Sequence, residues 1–333
     1  MQPLSFNCKR DSKGFSLVEL MVAISISLVL LIGLIQIFIS SKRSYTIQDS
    51  IARMQENGRY AVGLLTKDLR LAGYMGGNAD ITTISGNHPP IEADGNCGGL
   101  NDPRWGRMIA RSVFGINDGL TDYTGCITAA GASPQPNDYL SGDVLVIRYA
   151  RPTQLVLANE VNIGGYYLYS SLSYGEITLL DKNEVITLNT IDPDDTPITY
   201  NKLESYAYYV GHKNGDCNGI ETAVPALQRL ALSTTGTPEK QEIIRGVENL
   251  QAQYGEDSNN DGSPNQYLDA QNVTNWNSIK SVRLWLLIRD ECPSAGYTNT
   301  NTYVMGDSNL IANDNFRRHL YTTTVLLRNN EGI

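Results

Sequence analysis

One carboxylate, Glu19, is the sole ionisable side chain in the 25-residue run 15–39, FSLVELMVAISISLVLLIGLIQIFI. A charge held in hydrocarbon costs roughly 2.5 to 3.5 kcal/mol on insertion scales, so this carboxylate needs a partner or a task. Residues four apart on a helix share a face, so an amine at position 15 would neutralise Glu19 within one chain.

Other residues offer less chemistry. In 257–265, DSNNDGSPN, oxygen donors stand at alternate positions with a Gly after the third, like the first half of a calcium loop with Asp257, Asn259 and Asp261 as ligands. The twelfth position is Leu268, so the bidentate Glu is missing, and an Asx-rich hairpin loop without metal is the expected reading, with calcium as the alternative. His88, His212 and His319 are scattered, and no nucleophile elbow, P-loop, dinucleotide fingerprint or zinc-protease motif occurs. Asp192, Asp194, Asp195, Glu239 and Glu242 sit in turn-like or solvated contexts rather than as a glycosidase pair. The sequence predicts no enzyme and no required cofactor.

Of five cysteines, Cys8 precedes the apolar run, while Cys97, Cys126, Cys217 and Cys292 follow it without C-x-x-C spacing. An even number in the outer region suits an oxidising compartment and two disulfides. Three pairings are open. Cys97 with Cys126 and Cys217 with Cys292 is favoured, because the first pair brackets one loop-rich region.

These residues must be held by a helix followed by strands. The run 15–39 is long enough to cross a bilayer core of about 30 Å, and no A-x-A-like site closes it. Lys9, Arg10 and Lys13 precede it while Lys42 and Arg43 follow, a weak bias toward a cytoplasmic N terminus. Beyond it, Ile47, Ile51, Met54, Gly58, Ala61, Leu65, Leu69 and Ala72 recur at steps of three and four, and Arg53, Glu56, Arg59, Lys67 and Arg70 lie opposite. Gly73, Gly76 and Gly77 are the expected stop, so one helix of roughly 59 residues would extend about 90 Å. Strands are predicted at 143–150, 176–180, 184–188, 203–210, 279–288 and 319–327, with surface loops at 76–105 and 290–316. The fold class is α+β: a long N-terminal helix whose apolar stripe is covered by a mainly antiparallel sheet. A net charge of −9 argues against a broad nucleic-acid-binding surface, though Arg104 and Arg107 or Arg317 and Arg318 could form local basic patches.

The junction Lys13-Gly14-Phe15-Ser16-Leu17-Val18-Glu19 resembles the class III signal of type IV prepilins. QENGRYAVGLLTKDLRLAGY and the segment 247–255 before its Asp/Asn/Gly-rich loop resemble the minor pilins of the PilW family, related to J-type minor pseudopilins of type II secretion. The resemblance implies the type IV pilin fold, with a leader 1–14 removed by prepilin peptidase. A membrane and polymerisation half would follow at 15–40, an amphipathic half at 41–75 and a β-rich head outside the inner membrane at 76–333. It implies methylation of Phe15, pairing of Glu19 with a neighbour's amine, and partners among other minor pilins, the major pilin, the inner-membrane platform and a tip adhesin. The implied role is to prime pilus assembly near the filament tip, in support of twitching motility, adhesion or DNA uptake. A type II secretion pseudopilin and a single-span anchored enzyme or receptor are the alternatives. The family's major pilins often carry a proline in the membrane helix; here Gly33 is the only strong helix weakener in it.

Overall fold

The computed structural model describes residue 14 and residues 16–78, 80–85, 90, 97–120, 123–131, 135–154, 164–180, 197–217 and 219–330. Residues 1–13 of the expected leader, Phe15, His88, the strand expected at 184–188 and the acids Asp192, Asp194 and Asp195 lie outside the described residues. The chain divides into two compact units, one up to Ile51 and one from Ala52 to Ile333.

Helix α1 (Leu17–Leu71) runs through both. In the first unit it is a bare apolar helix, its large side chains from Leu17 to Ile39 standing 48–74% exposed, so nothing in this unit covers them. Ser25 and Ser27 return their hydroxyls to the carbonyls of Met21 and Ala23 at 2.8 and 2.7 Å, which satisfies both in an apolar setting.

In the second unit the helix buries Met54, Gly58, Ala61, Leu65, Asp68 and Leu69. The sequence expects five of these; Asp68 is the addition. The helix ends at Leu71, four residues short of the expected 75, because Gly73 turns to a φ of 77°. The side-chain amide of Asn329 caps the end by donating to the carbonyls of Arg70 and Ala72 at 3.4 and 3.3 Å.

The strands that follow are β1 (Ile84–Ser85), β2 (Val113–Ile116), β3 (Tyr139–Gln154), β4 (Gly165–Ser170), β5 (Gly175–Leu180), β6 (Thr199–Asp216), β7 (Glu221–Leu232) and β8 (Pro238–Arg245). They form one sheet in the order β1-β5-β4-β6-β3-β2, with β7 bridging β6 and β8. Only the β1–β5 pair among its described pairs is parallel. A second sheet comprises β9 (Val247–Glu256), β10 (Gln266–Asp269), β11 (Ile279–Arg289) and, after a separate hairpin of β12 (Thr302–Met305) and β13 (Ser308–Ile311), β14 (Arg318–Leu326), in the order β10-β9-β11-β14. Five of the six predicted strands are present, most of them longer than expected. The expected loop 290–316 contains the β12–β13 hairpin, and 76–105 contains β1 and two short 3-10 turns.

A helix stripe and two one-sided sheets share this core. Tyr321 of β14 lies against Gly58, where an added Cβ would come within 2.1 Å of its ring. Asn57 donates to the carbonyl of Arg245 at the end of β8, and Asp68 reaches β3 and β6 of the first sheet. The single covering sheet expected from sequence is thus two sheets, both in contact with the second half of α1.

Candidate assembly site on the N-terminal helix

Ser16 is the residue before α1, and its backbone N–H donates to Glu19 Oε2 at 3.1 Å. The first intrahelical bond, from Leu20 N–H to the Ser16 carbonyl at 3.1 Å, follows. A glutamate three positions after the cap that reaches back to the cap's N–H is one half of a capping box, and it places a negative charge at the positive end of the helix. Glu19 is therefore held by its own chain in the uncut sequence, while its side chain stays exposed. Gly14 is exposed, and a Cβ built there meets nothing within 4 Å. The Phe15 amine, which the sequence pairs with Glu19, exists only after cleavage.

The arrangement is suited to binding other helices rather than to turnover. A helix with apolar residues all round needs lipid or other apolar helices on every side. With one carboxylate at its N-terminal end, it offers a single directional contact on a surface otherwise limited to van der Waals packing.

In the head, Asp68 is the polar residue that sequence reasoning missed. It follows Leu65 by three positions and Ala61 by seven, so it falls on the buried stripe although Lys67 beside it points to solvent. Tyr149 and Tyr208 donate to its two oxygens at 3.0 and 2.5 Å. Burial lifts its carboxyl above the ordinary range, and the bonds from Tyr208 and Tyr149 pull the other way. Arg229 donates to Tyr208 Oη at 3.4 Å and stacks over the Tyr206 ring at 4.3 Å. A buried carboxylate with two donors in fixed places allows the helix one docking position, since a shift along the stripe would leave the acid unpaired.

The cysteines pair as Cys97–Cys126 and Cys217–Cys292, with Cα separations of 6.3 and 5.5 Å. The oxygens offered to calcium at 257–265 are taken by the loop's own N–H groups. Asp257 accepts from Asp261 and Gly262 at 3.1 and 2.8 Å, Asn259 Oδ1 from Asp261 at 3.2 Å, and Asp261 Oδ1 from Ser263 at 2.8 Å. Among the described residues no group of three His, Cys, Asp or Glu side chains is placed to hold a metal.

The arginines considered as basic patches are also engaged. Arg318 is held by Asp314 and Glu248, and although burial opposes its charge these carboxylates raise its pKa. Arg317 stacks on Tyr297 at 4.1 Å, and Arg104 pairs with Asp102 at 2.6 Å. Glu242 carries ion pairs with Arg245 and Lys213, as a surface acid does. His212 is buried within β6 and His319 is exposed on β14.

Residues 9–35 match the model of the prokaryotic N-terminal methylation motif, and residues 207–329 match that of the type IV pilus-assembly protein W family. No curated protein and no solved structure matches the chain. The first match spans Gly14 and Glu19 at the start of the apolar helix. The second runs from β6 to the Asn329 cap, and so includes the whole sheet that carries β14 against the helix. Two ends of the molecule thus bear the marks of one kind of protein, and the two matches support a type IV pilus minor pilin of the PilW family.

Proposed function

We propose that this minor pilin is cut after Gly14, methylated on Phe15 and joined to sibling minor pilins in a small complex that primes the pilus and ends near its tip. Leader 1–14 lies in the cytoplasm, 15–40 is the membrane and polymerisation half of the helix, 41–75 its amphipathic half and 76–333 the head outside the inner membrane. The observation that carries the reading is Glu19, the single ionisable side chain of 15–39, exposed at the first turn of an uncovered apolar helix. Before cleavage its carboxylate accepts the Ser16 N–H. After cleavage a charged amine appears one residue away from that donor, and in the membrane a neighbour's amine gives the carboxylate a stronger, charge-assisted partner. Register between helices follows from that one polar contact, and affinity from the apolar surface around it.

The partners this reading requires are other minor pilins and the major pilin through the helix, the inner-membrane platform during extraction, and a tip adhesin through the head. Twitching, adhesion or DNA uptake would depend on it indirectly, through pilus number. Mass spectrometry of the native mature N terminus tests the processing: methylated Phe15 is expected, and a chain that still begins at Met1 refutes the proposal. Deletion should abolish surface pili; loss of protein secretion with pili intact would assign the chain to a type II secretion filament instead.

A further inference from the structure

The second sheet ends on a strand whose outer side pairs with none of the described strands. β14 pairs with β11 alone, in an unbroken register from Arg289 and Arg318 to Ser281 and Leu326. The Leu327 N–H donates to the Lys280 carbonyl at 2.8 Å, so antiparallel alternation turns the backbone groups of Leu320, Thr322, Thr324 and Leu326 away from β11. The side chains of Thr322, Thr324 and Leu326 are exposed.

Folded proteins blunt such edges with charge, proline, a bulge or shortness, because an open ladder invites another chain. Two other edges follow that rule: β10 spans four residues, and β8 carries Pro238, Glu239, Lys240, Glu242 and Arg245. Over 320–326 β14 has neither a charge nor a proline, and its register has no shift. Nine residues of open edge call for a covering strand.

Charge and direction choose the occupant. At its far end the edge meets the exposed Arg328 and Lys280, whose amine donates to the Asn330 carbonyl at 3.0 Å, and neither has an ion pair among the described residues. At the near end Arg318 is already held by Asp314 and Glu248. A second copy fits poorly, since the antiparallel register that uses the whole edge would set its Arg328 opposite Arg318. β14 also runs beside the second half of α1, where Tyr321 Oη donates to the Gln55 carbonyl and the Asn329 amide to that of Arg70, both at 3.4 Å. A chain bundled along that helix therefore reaches the edge.

Resting on the pilin reading, we propose that the open edge of β14 takes an antiparallel strand from a sibling minor pilin, uncharged along its middle and carrying a carboxylate near its N-terminal end, opposite Arg328. Antiparallel pairing continues the order of this sheet, in which every described pair is antiparallel. Main-chain hydrogen bonds supply the affinity, and Arg328 fixes direction and register.

Full-length protein in detergent micelles is offered a blocked peptide that begins with Glu and continues as alternating Val and Thr, and a second that begins with Lys instead. Amide hydrogen exchange over 318–327, read by mass spectrometry, reports on the edge. With the Glu peptide in excess the outward N–H groups should exchange at least about tenfold more slowly, and the Lys peptide should protect them far less. Arg328→Glu should reverse that preference. Thr324→Pro removes one outward N–H, a change an edge strand tolerates, so it should melt with the wild type and lose the protection. No slowing by the Glu peptide in the wild type would overturn the inference. So would equal slowing by both peptides, full protection of Thr324→Pro, or protection without peptide that grows with protein concentration, the mark of a second copy. None of these readings needs a filament, so their failure strikes the edge alone, whereas an unprocessed N terminus strikes the pilin reading.

Discussion

Glu19 has two tasks that substitution can separate. Glu19→Gln keeps an oxygen for the Ser16 N–H but removes the charge, whereas Glu19→Ala removes both. If charge pairing drives assembly, both variants should be processed normally, yet both should fail to enter filaments, as read from sheared pili and N-terminal mass spectra. Normal piliation in Glu19→Gln would show that the cap, not the charge, matters. Asp68 is the corresponding residue in the head. A carboxyl whose folded pKa is raised adds stability that is complete below its ordinary value of 3.8 and is lost as pH rises through the folded value. Wild type should therefore hold its largest advantage over Asp68→Asn in acid and lose it on the way to neutrality, which urea unfolding of both proteins across that window would measure. A gap that is constant with pH would mean that Asp68 does not titrate differently in the fold. Leu65, fully buried on the same stripe, acts only through packing, and Leu65→Ala should cost about 2–5 kcal/mol in the same assay.

The long helix was legible because its period and its glycines agree with one another, but its polar contacts were not. Apolar spacing places Met54, Gly58, Ala61, Leu65 and Leu69 on the buried face without further knowledge. Asp68 was illegible because a charge beside Lys67 reads as solvated, and only Tyr149 and Tyr208, remote in sequence, give it a reason to be inside. The Glu19 motif was legible because an acid in an apolar run has few explanations. Strands rich in β-branched residues and leucine, such as 279–288, also stood out. The β12–β13 hairpin did not, since its surroundings are Asn- and Thr-rich. Even so, Gly306-Asp307, joining the Met305 and Ser308 pair with Gly306 at φ 60°, is a two-residue turn signal that could have found it. Gly73 is the element-scale test. Its φ of 77° and the Asn329 carbonyl 2.6 Å from a built Cβ leave no room for a side chain. Gly73→Ala should destabilise the head by about 1–2 kcal/mol from the left-handed conformation alone, and a neutral effect on its melting would contradict the cap.

Across the whole head, the second disulfide joins what the hydrophobic core already brings together. Cys217 closes β6 of the first sheet and Cys292 follows β11 of the second, 75 residues apart, so the bond restrains both sheets at once. Replacing both cysteines by alanine should lower stability by about 2–5 kcal/mol, detectable as an earlier urea midpoint, while reductant should have no further effect through this pair. Other distant parts meet along the helix: Asn329 seals the helix end 259 residues after Arg70, and Tyr321 covers Gly58 only once β14 is in place. A ribosome therefore releases the helical stripe long before it makes the strand that shields it. During synthesis the nascent polypeptide would carry a greasy, uncapped rod until Asn329, 259 residues after Arg70, is made and can seal it.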